Sequence, residues 1–256
     1  MKKYLFVFTF VLLTSLSFSL VQIDVSVEGK TSGFVDYINY TRVVNNSAFT
    51  FSANWYNSGS VICEDKLRID IENKEKINTL WSSKQIVKPG GFKLFTVYWY
   101  PSKDINKKTN LTLHAKLYHC YEVLDLGEFN FTVYPENLEK FKESPVKVSK
   151  IDKSGIILNK NKNVDSVVIT PEKYPSGWYF ETKKAENKTT KLQYETDFWK
   201  EETAEINILA SVNGSLYHNK LSVDIKETKT PVFVYFLILF FVLVVFLLVY
   251  FFSKRK

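Results

Sequence analysis

Apolar and polar residues alternate with a period of two through most of this chain, the spacing of strands with one buried face. Phe49, Phe51, Ala53 and Trp55 alternate with Thr50, Ser52 and Asn54; Leu67, Ile69 and Ile71 alternate with Lys66, Arg68, Asp70 and Glu72. The same beat runs through Leu111, Leu113, Ala115 and Leu117, and through Phe129, Phe131 and Val133. Turn residues separate these runs: Asn57-Ser58-Gly59, Pro89-Gly90-Gly91, and the polar stretch from Asp104 to Asn110. About seven strands fit between Val21 and Pro135. Strands with a single apolar face need a second sheet to cover it, which predicts an all-β sandwich over residues 20–135.

From Pro135 to Pro145 the alternation stops and charge takes over, with Glu136, Glu139, Lys140, Lys142 and Glu143. Residues 136–145 therefore read as a linker or a short helical connector. The period returns at Val146 and Val148, Ile156 to Leu158, Val168, Trp178 with Phe180, and Leu192 with Tyr194. Ile206, Ile208, Ala210 and Val212, then Leu221, Val223 and Ile225, complete a second, smaller sandwich over residues 146–226.

Two segments break the pattern altogether. Lys2 and Lys3 precede an apolar stretch from Tyr4 to Leu13 and small residues at Ser15, Ser17 and Ser19. This reads as a signal peptide over residues 1–19, or as an uncleaved signal anchor. Val232 to Phe252 is a run without a charge, an amide or a glycine; as a helix it is about 31 Å long, the thickness of a bilayer's hydrocarbon core. Residues 227–231 form a polar stalk before it. Ser253-Lys254-Arg255-Lys256 follows as a stop-transfer signal, leaving residues 253–256 as a cytoplasmic tail. The expected topology is a single-pass membrane protein with its ectodomain outside.

Charge changes the picture only by supporting that topology. The formal charge is +7, yet the two lysines at the start and the three basic residues at the end supply five of those charges, leaving the span between near +2. No basic stripe remains for nucleic acid. Aromatic residues make up 16% of the chain, enough for two packed cores and against disorder.

Within the span, Cys63 and Cys120 are the only cysteines, and an exported setting lets them form a disulfide closing a long loop; two separate buried thiols are the alternative. His114, His119 and Cys120 suggest a metal cluster, but His114 and His119 lie five positions apart, which on one strand places them on opposite faces, and only a bulge would bring them together. No metal centre is therefore expected, and His218 reads as a surface residue. Asn39, Asn45, Asn110, Asn130, Asn187 and Asn213 each open an Asn-x-Ser/Thr sequon and are candidate glycosylation sites. Trp55 and Trp99 fall in phase with the core, whereas Trp81, Trp178 and Trp199 remain open between packing and a sugar-stacking surface. Nucleophile elbows, zinc-protease helices, phosphate loops and Cys-x-x-Cys pairs are all missing, so neither catalysis nor a cofactor is expected.

The order Trp55-Tyr56-Asn57-Ser58-Gly59-Ser60, Val87-Lys88-Pro89-Gly90-Gly91, Phe95-Thr96-Val97-Tyr98-Trp99 resembles the CARDB family, immunoglobulin-like modules named for a relation to cell adhesion. Tyr174 to Ile225, with Gly177-Trp178-Tyr179 and Ile206-Asn207-Ile208-Leu209-Ala210, is similar to a sandwich domain attached to some α-galactosidases. The combination resembles archaeal S-layer-related surface proteins. These resemblances imply a non-catalytic adhesive or structural role, with another envelope protein or a glycan as partner; an accessory subunit of an exporter-type complex is the alternative. They carry over no catalytic residues.

Overall fold

A computed structural model describes residues 29–73, 76–101, 105–152, 155–175, 177–195 and 202–225. The expected signal segment, the 227–231 stalk, the Val232 to Phe252 helix, the basic tail and Trp199 lie outside the described residues. Every regular element among those described is a strand, and no helix there is long and apolar enough to cross a membrane.

The first sandwich uses nine strands: β1 (Gly33–Tyr40), β2 (Val43–Val44), β3 (Phe49–Asn57), β4 (Cys63–Asn73), β5 (Lys76–Trp81), β6 (Gln85–Val87), β7 (Phe92–Trp99), β8 (Thr109–His119) and β9 (Glu122–Val133). One sheet has the order β1-β3-β7; the other runs β2-β9-β8-β4-β5, with β6 also paired to β4. The extra strands relative to the seven expected are short or irregular pieces. β2 is a two-residue parallel partner of β9, and β5 and β6 share one edge of β4, broken between Trp81 and Gln85.

The predicted alternation is realised in β3 and β8, whose odd-numbered apolar side chains are buried. β9 keeps its apolar side inward only by changing phase. Leu124 and Leu126 pack on the core from even positions, Phe129, Phe131 and Val133 from odd ones. The switch is a bulge at Gly127, where φ is +95° and the backbone N–H donates to Asp125 Oδ1 at 2.8 Å. A bulge adds one residue to one strand and so flips every later side chain to the other face.

The second sandwich uses β10 (Val146–Asp152), β11 (Gly155–Lys160), β12 (Ser166–Lys173), β13 (Tyr179–Phe180), β14 (Lys183–Ala185), β15 (Thr189–Glu195), β16 (Glu202–Val212) and β17 (Ser215–Ile225). Its sheets run β10-β11-β15-β13 and β14-β12-β16-β17. Ile156, Leu158, Ile169, Phe180, Leu192, Ile206 and Ile208 form the centre of its core. In β12 the core side chains are Val167 and Ile169, while Val168 is only half-buried. β16 and β17 are joined by Asn213-Gly214, with φ of +49° and +79°. Positive φ at both central residues is the type I′ geometry that matches the twist of paired strands.

The connector holds no helix. Residues 136–141 instead run extended beside β17, where the His218 N–H donates to Glu139 O at 3.0 Å and Asn219 Nδ2 donates to Phe141 O at 3.2 Å. From Thr31 onward the described residues form one compact unit, so the sandwiches are joined by packing as well as by the connector.

Candidate functional site

The joint between the sandwiches begins where β5 ends. Once Trp81 leaves the β4 ladder, its carbonyl accepts the Thr182 N–H at 2.8 Å, and Thr182 Oγ1 accepts the Tyr98 N–H at 2.9 Å. Tyr179 donates its hydroxyl to Ser82 O at 2.7 Å and accepts the Lys84 N–H at 3.2 Å; the Tyr174 hydroxyl donates to Thr79 O. Each of these bonds satisfies a backbone group of the first sandwich with a group from the second. Lys66 Nζ lies 4.7 Å from the centroid of Trp81 and 5.1 Å from that of Tyr179, within cation–π range. Lys84 pairs with Glu195 and, at 3.2 Å, with Glu64.

These contacts set the local ionisation. Burial pushes the Tyr179 phenol well above its ordinary range, helped by the nearby Glu181 carboxylate, and burial likewise raises Tyr174. Lys66 is lowered by burial and by the neighbouring Lys84 ammonium. For Lys84 burial works against the charge, but the bonds to Glu195 and Glu64 outweigh it and hold the ammonium above its usual value.

A second polar knot closes the joint. His218 Nδ1 lies 2.7 Å from Glu136 Oε1, and its Nε2 lies 3.1 Å from Asn207 Oδ1, with His218 and Glu136 both buried. Both ring nitrogens thus face oxygen acceptors, an arrangement that an imidazolium satisfies. The Tyr100 ring packs 4.9 Å from the imidazole, and its phenol is pushed up by burial and then by the Glu136 carboxylate. His218 is therefore not the surface residue its place in the alternation suggests. It does point away from the second core, but the connector and Tyr100 cover it.

Beside the joint is a cleft of about 820 Å³, bounded by Trp81, Trp99 and Tyr100 from the first sandwich and by Tyr174, Trp178 and Asn207 from the second. That size and a site between two domains suit a bound ligand. Its cations have carboxylate partners: Arg68 with Asp70 at 3.0 Å, Lys173 with Glu205 at 3.7 Å, Lys220 with Glu172 at 2.6 Å. The cleft thus has internally balanced charge and an aromatic lining that is itself mostly buried, Trp81 being 8% and Trp99 and Trp178 each 6% exposed. Trp81 and Trp178 line it, Trp178 also as a member of the second core, whereas Trp55 sits wholly in the first core. Trp99 belongs to that core and also reaches the cleft wall.

The remaining sequence candidates lie elsewhere. Cys63 and Cys120 come together in disulfide geometry, Cα 5.0 Å apart. They join the start of β4 to the turn after β8, its neighbour in the same sheet, rather than the two sheets. His119, fully buried, stands behind them: its Nδ1 is 3.0 Å from Asp65 Oδ1, its Nε2 3.7 Å from Cys63 Sγ, and Trp55 packs 5.0 Å from its ring. Burial raises the Asp65 carboxyl, against the lowering effect of the His119 bond. His114 is on the opposite face, between Glu72 at 3.4 Å and Glu128 at 3.5 Å. All six sequon asparagines are exposed. Asn110 and Asn130 also accept hydrogen bonds from Thr132 and Thr112 across the β8–β9 pair, each at 2.9 Å.

No protein-family model matches the chain, and no curated protein matches it. Similar solved structures include the YadV chaperone, at 11% identity over 73% of this chain and 98% of that one, with a TM-score of 0.24. The periplasmic chaperone SfaE follows at 8%, 74%, 97% and 0.26. The FN1–FN3 domains of chicken CNTN1 give 10%, 74%, 66% and 0.23. Scores this low add no argument; the sandwich architecture rests on the sheets themselves.

Proposed function

We propose that this chain is a non-catalytic cell-surface protein, anchored by Val232 to Phe252, which binds a glycan or protein of the cell envelope in the cleft between its two sandwiches. The observation that carries the reading is the cleft. It is walled by Trp81, Trp99 and Trp178, its ion pairs are balanced, and a network of hydrogen bonds from Thr79 to Lys84 keeps its two halves in register. A preformed site loses little ordering entropy when it is filled. The anchor and signal segments supply the setting, outside the cell and close to the membrane.

The test uses the full chain in lipid nanodiscs, titrated with neutral oligosaccharides released from the envelope and, separately, with solubilised envelope proteins, while tryptophan fluorescence is followed. Saturable binding that falls at least tenfold in Asn78→Ala and Lys173→Glu, both at the cleft, supports the reading. Binding indifferent to those changes, or none from either class, removes it. Protease shaving of intact cells tests the setting: an ectodomain left uncut would place it on the wrong side of the membrane.

A further inference from the structure

The Cys63–Cys120 bond lies just past the end of the β4–β8 ladder, which starts at Lys66↔Tyr118; Cys63 pairs there with Val87 of β6, and Cys120 is in the turn after β8. What distinguishes this place is the polar pair behind it. β8 alternates Leu111, Leu113, Ala115 and Leu117 into the core, and the next core position is His119. A leucine there would extend the run. Instead an imidazole and the Asp65 carboxylate are both withdrawn from water, at a desolvation cost that packing alone does not require.

We infer that Cys63, Cys120 and His119 form a three-ligand site for a soft or borderline d10 ion of the zinc class when the cysteines are reduced, and that the disulfide is the closed form of that site. The two sulfurs and an imidazole nitrogen lie within 4.8 Å of one another. The 3.7 Å from His119 Nε2 to Cys63 Sγ is close to the edge of a tetrahedral site. Zinc bonds of about 2.3 Å to sulfur and about 2.0 Å to nitrogen make that edge about 3.5 Å. Only the sulfurs must part, and Cys120 lies part-exposed in the turn after β8 rather than in the ladder.

Asp65 completes the arrangement. Its oxygens lie 3.0 and 3.1 Å from His119 Nδ1, which places the ring proton there and leaves the Nε2 lone pair facing the sulfurs. A carboxylate behind a ligating histidine is the usual device for orienting the ring and raising its basicity. Two thiolates and one imidazole favour zinc-class ions over magnesium or calcium and leave a fourth position for water. The chemistry balances with a dithiol reductant. The dithiol transfers two electrons and two protons to the disulfide and becomes a disulfide itself; the two protein thiols then bind the ion as thiolates and release two protons.

The test is cobalt(II) added to the full chain in detergent, with a dithiol reductant present and then removed without oxygen. The expected result is one equivalent bound, with the thiolate charge-transfer and visible bands of tetrahedral cobalt, and displacement by zinc. The unreduced chain, and Cys63→Ser with Cys120→Ser, should give none of these bands. His119→Ala should weaken binding at least tenfold, and Asp65→Asn about 10- to 100-fold. Regain of the disulfide on reoxidation of His119→Ala and of Asp65→Asn shows that these two variants still fold. The proposal is overturned if the reduced chain, folded or not, binds no cobalt, or if His119→Ala binds with unchanged spectrum and affinity.

Discussion

Two buried histidines organise this molecule in opposite ways. His119 is held by Asp65 inside one sandwich, beside a covalent link, with Cys63 and Trp55 of the same sandwich against its ring. His218 is held by Glu136 of the connector and by Asn207 of β16, with Tyr100 of the first sandwich against its ring, and so fastens three parts of the chain together. The first sandwich is secured within itself by a staple, whereas the union of the two sandwiches depends on buried polar pairs. A buried pair contributes little over a well-packed apolar replacement, but losing one partner is severe, because the other stays buried and uncompensated.

The largest effect that separates the two regions is expected at the joint. His218→Ala should cost about 3 to 5 kcal/mol in chemical denaturation and expose residues 136–145 to limited proteolysis. A change below 1 kcal/mol, with the connector still protected, would show that the pair does not hold the joint. At the staple, Cys63→Ser with Cys120→Ser should cost about 4 kcal/mol in the chain-entropy account of a loop of 57 residues. Because that cost falls on the unfolded state, the connector should remain resistant to protease.

Tyr179→Phe sharpens the contrast through pH. The hydroxyl that bonds Ser82 O is lost, for about 1 to 3 kcal/mol at neutral pH. The folded phenol is raised above its unfolded value near 10. Its stabilising contribution is therefore complete below pH 10 and declines as pH rises beyond it, where only the unfolded state releases the proton. Comparing denaturation at pH 8 and pH 11 should show a shallower alkaline loss in the variant than in the parent. Equal slopes would mean that Tyr179 is not shielded at the joint. The smallest effect is Asn213→Ala, which replaces a residue that tolerates positive φ by one that does not in the β16–β17 turn, for about 1 kcal/mol. In glycosylated native protein it should also remove one sugar from the intact mass.

The strands with one free face were legible because a period of two needs no knowledge of the partner. β3, β8, β16 and the end of β17 bury the residues that the alternation selects. The Cys63 and Cys120 pairing was legible from there being two cysteines and from the export that the sequence predicts. The joint was not, because alternation reports which face a residue takes and not whether something covers that face. His218, Asn207 and Thr170 occupy outward positions and are buried all the same. One signal was present: Leu209, an apolar residue on the outward side of β16, is buried beneath that cover. The closeness of Cys63 to His119 was hidden for a related reason: comparing His119 with His114 on the same strand does not reach Cys63, which comes from the start of β4.

The β16–β17 pairing has a mechanical consequence. β17 is an edge strand whose last described residue, Ile225, pairs with Glu202 at the open end of the hairpin, and eleven residue pairs run from there to the turn. Tension applied at Ile225 along the strand axis would load those pairs together in shear, whereas tension across the sheet would open them one at a time. The direction of pull, more than its size, would decide whether the second sandwich yields.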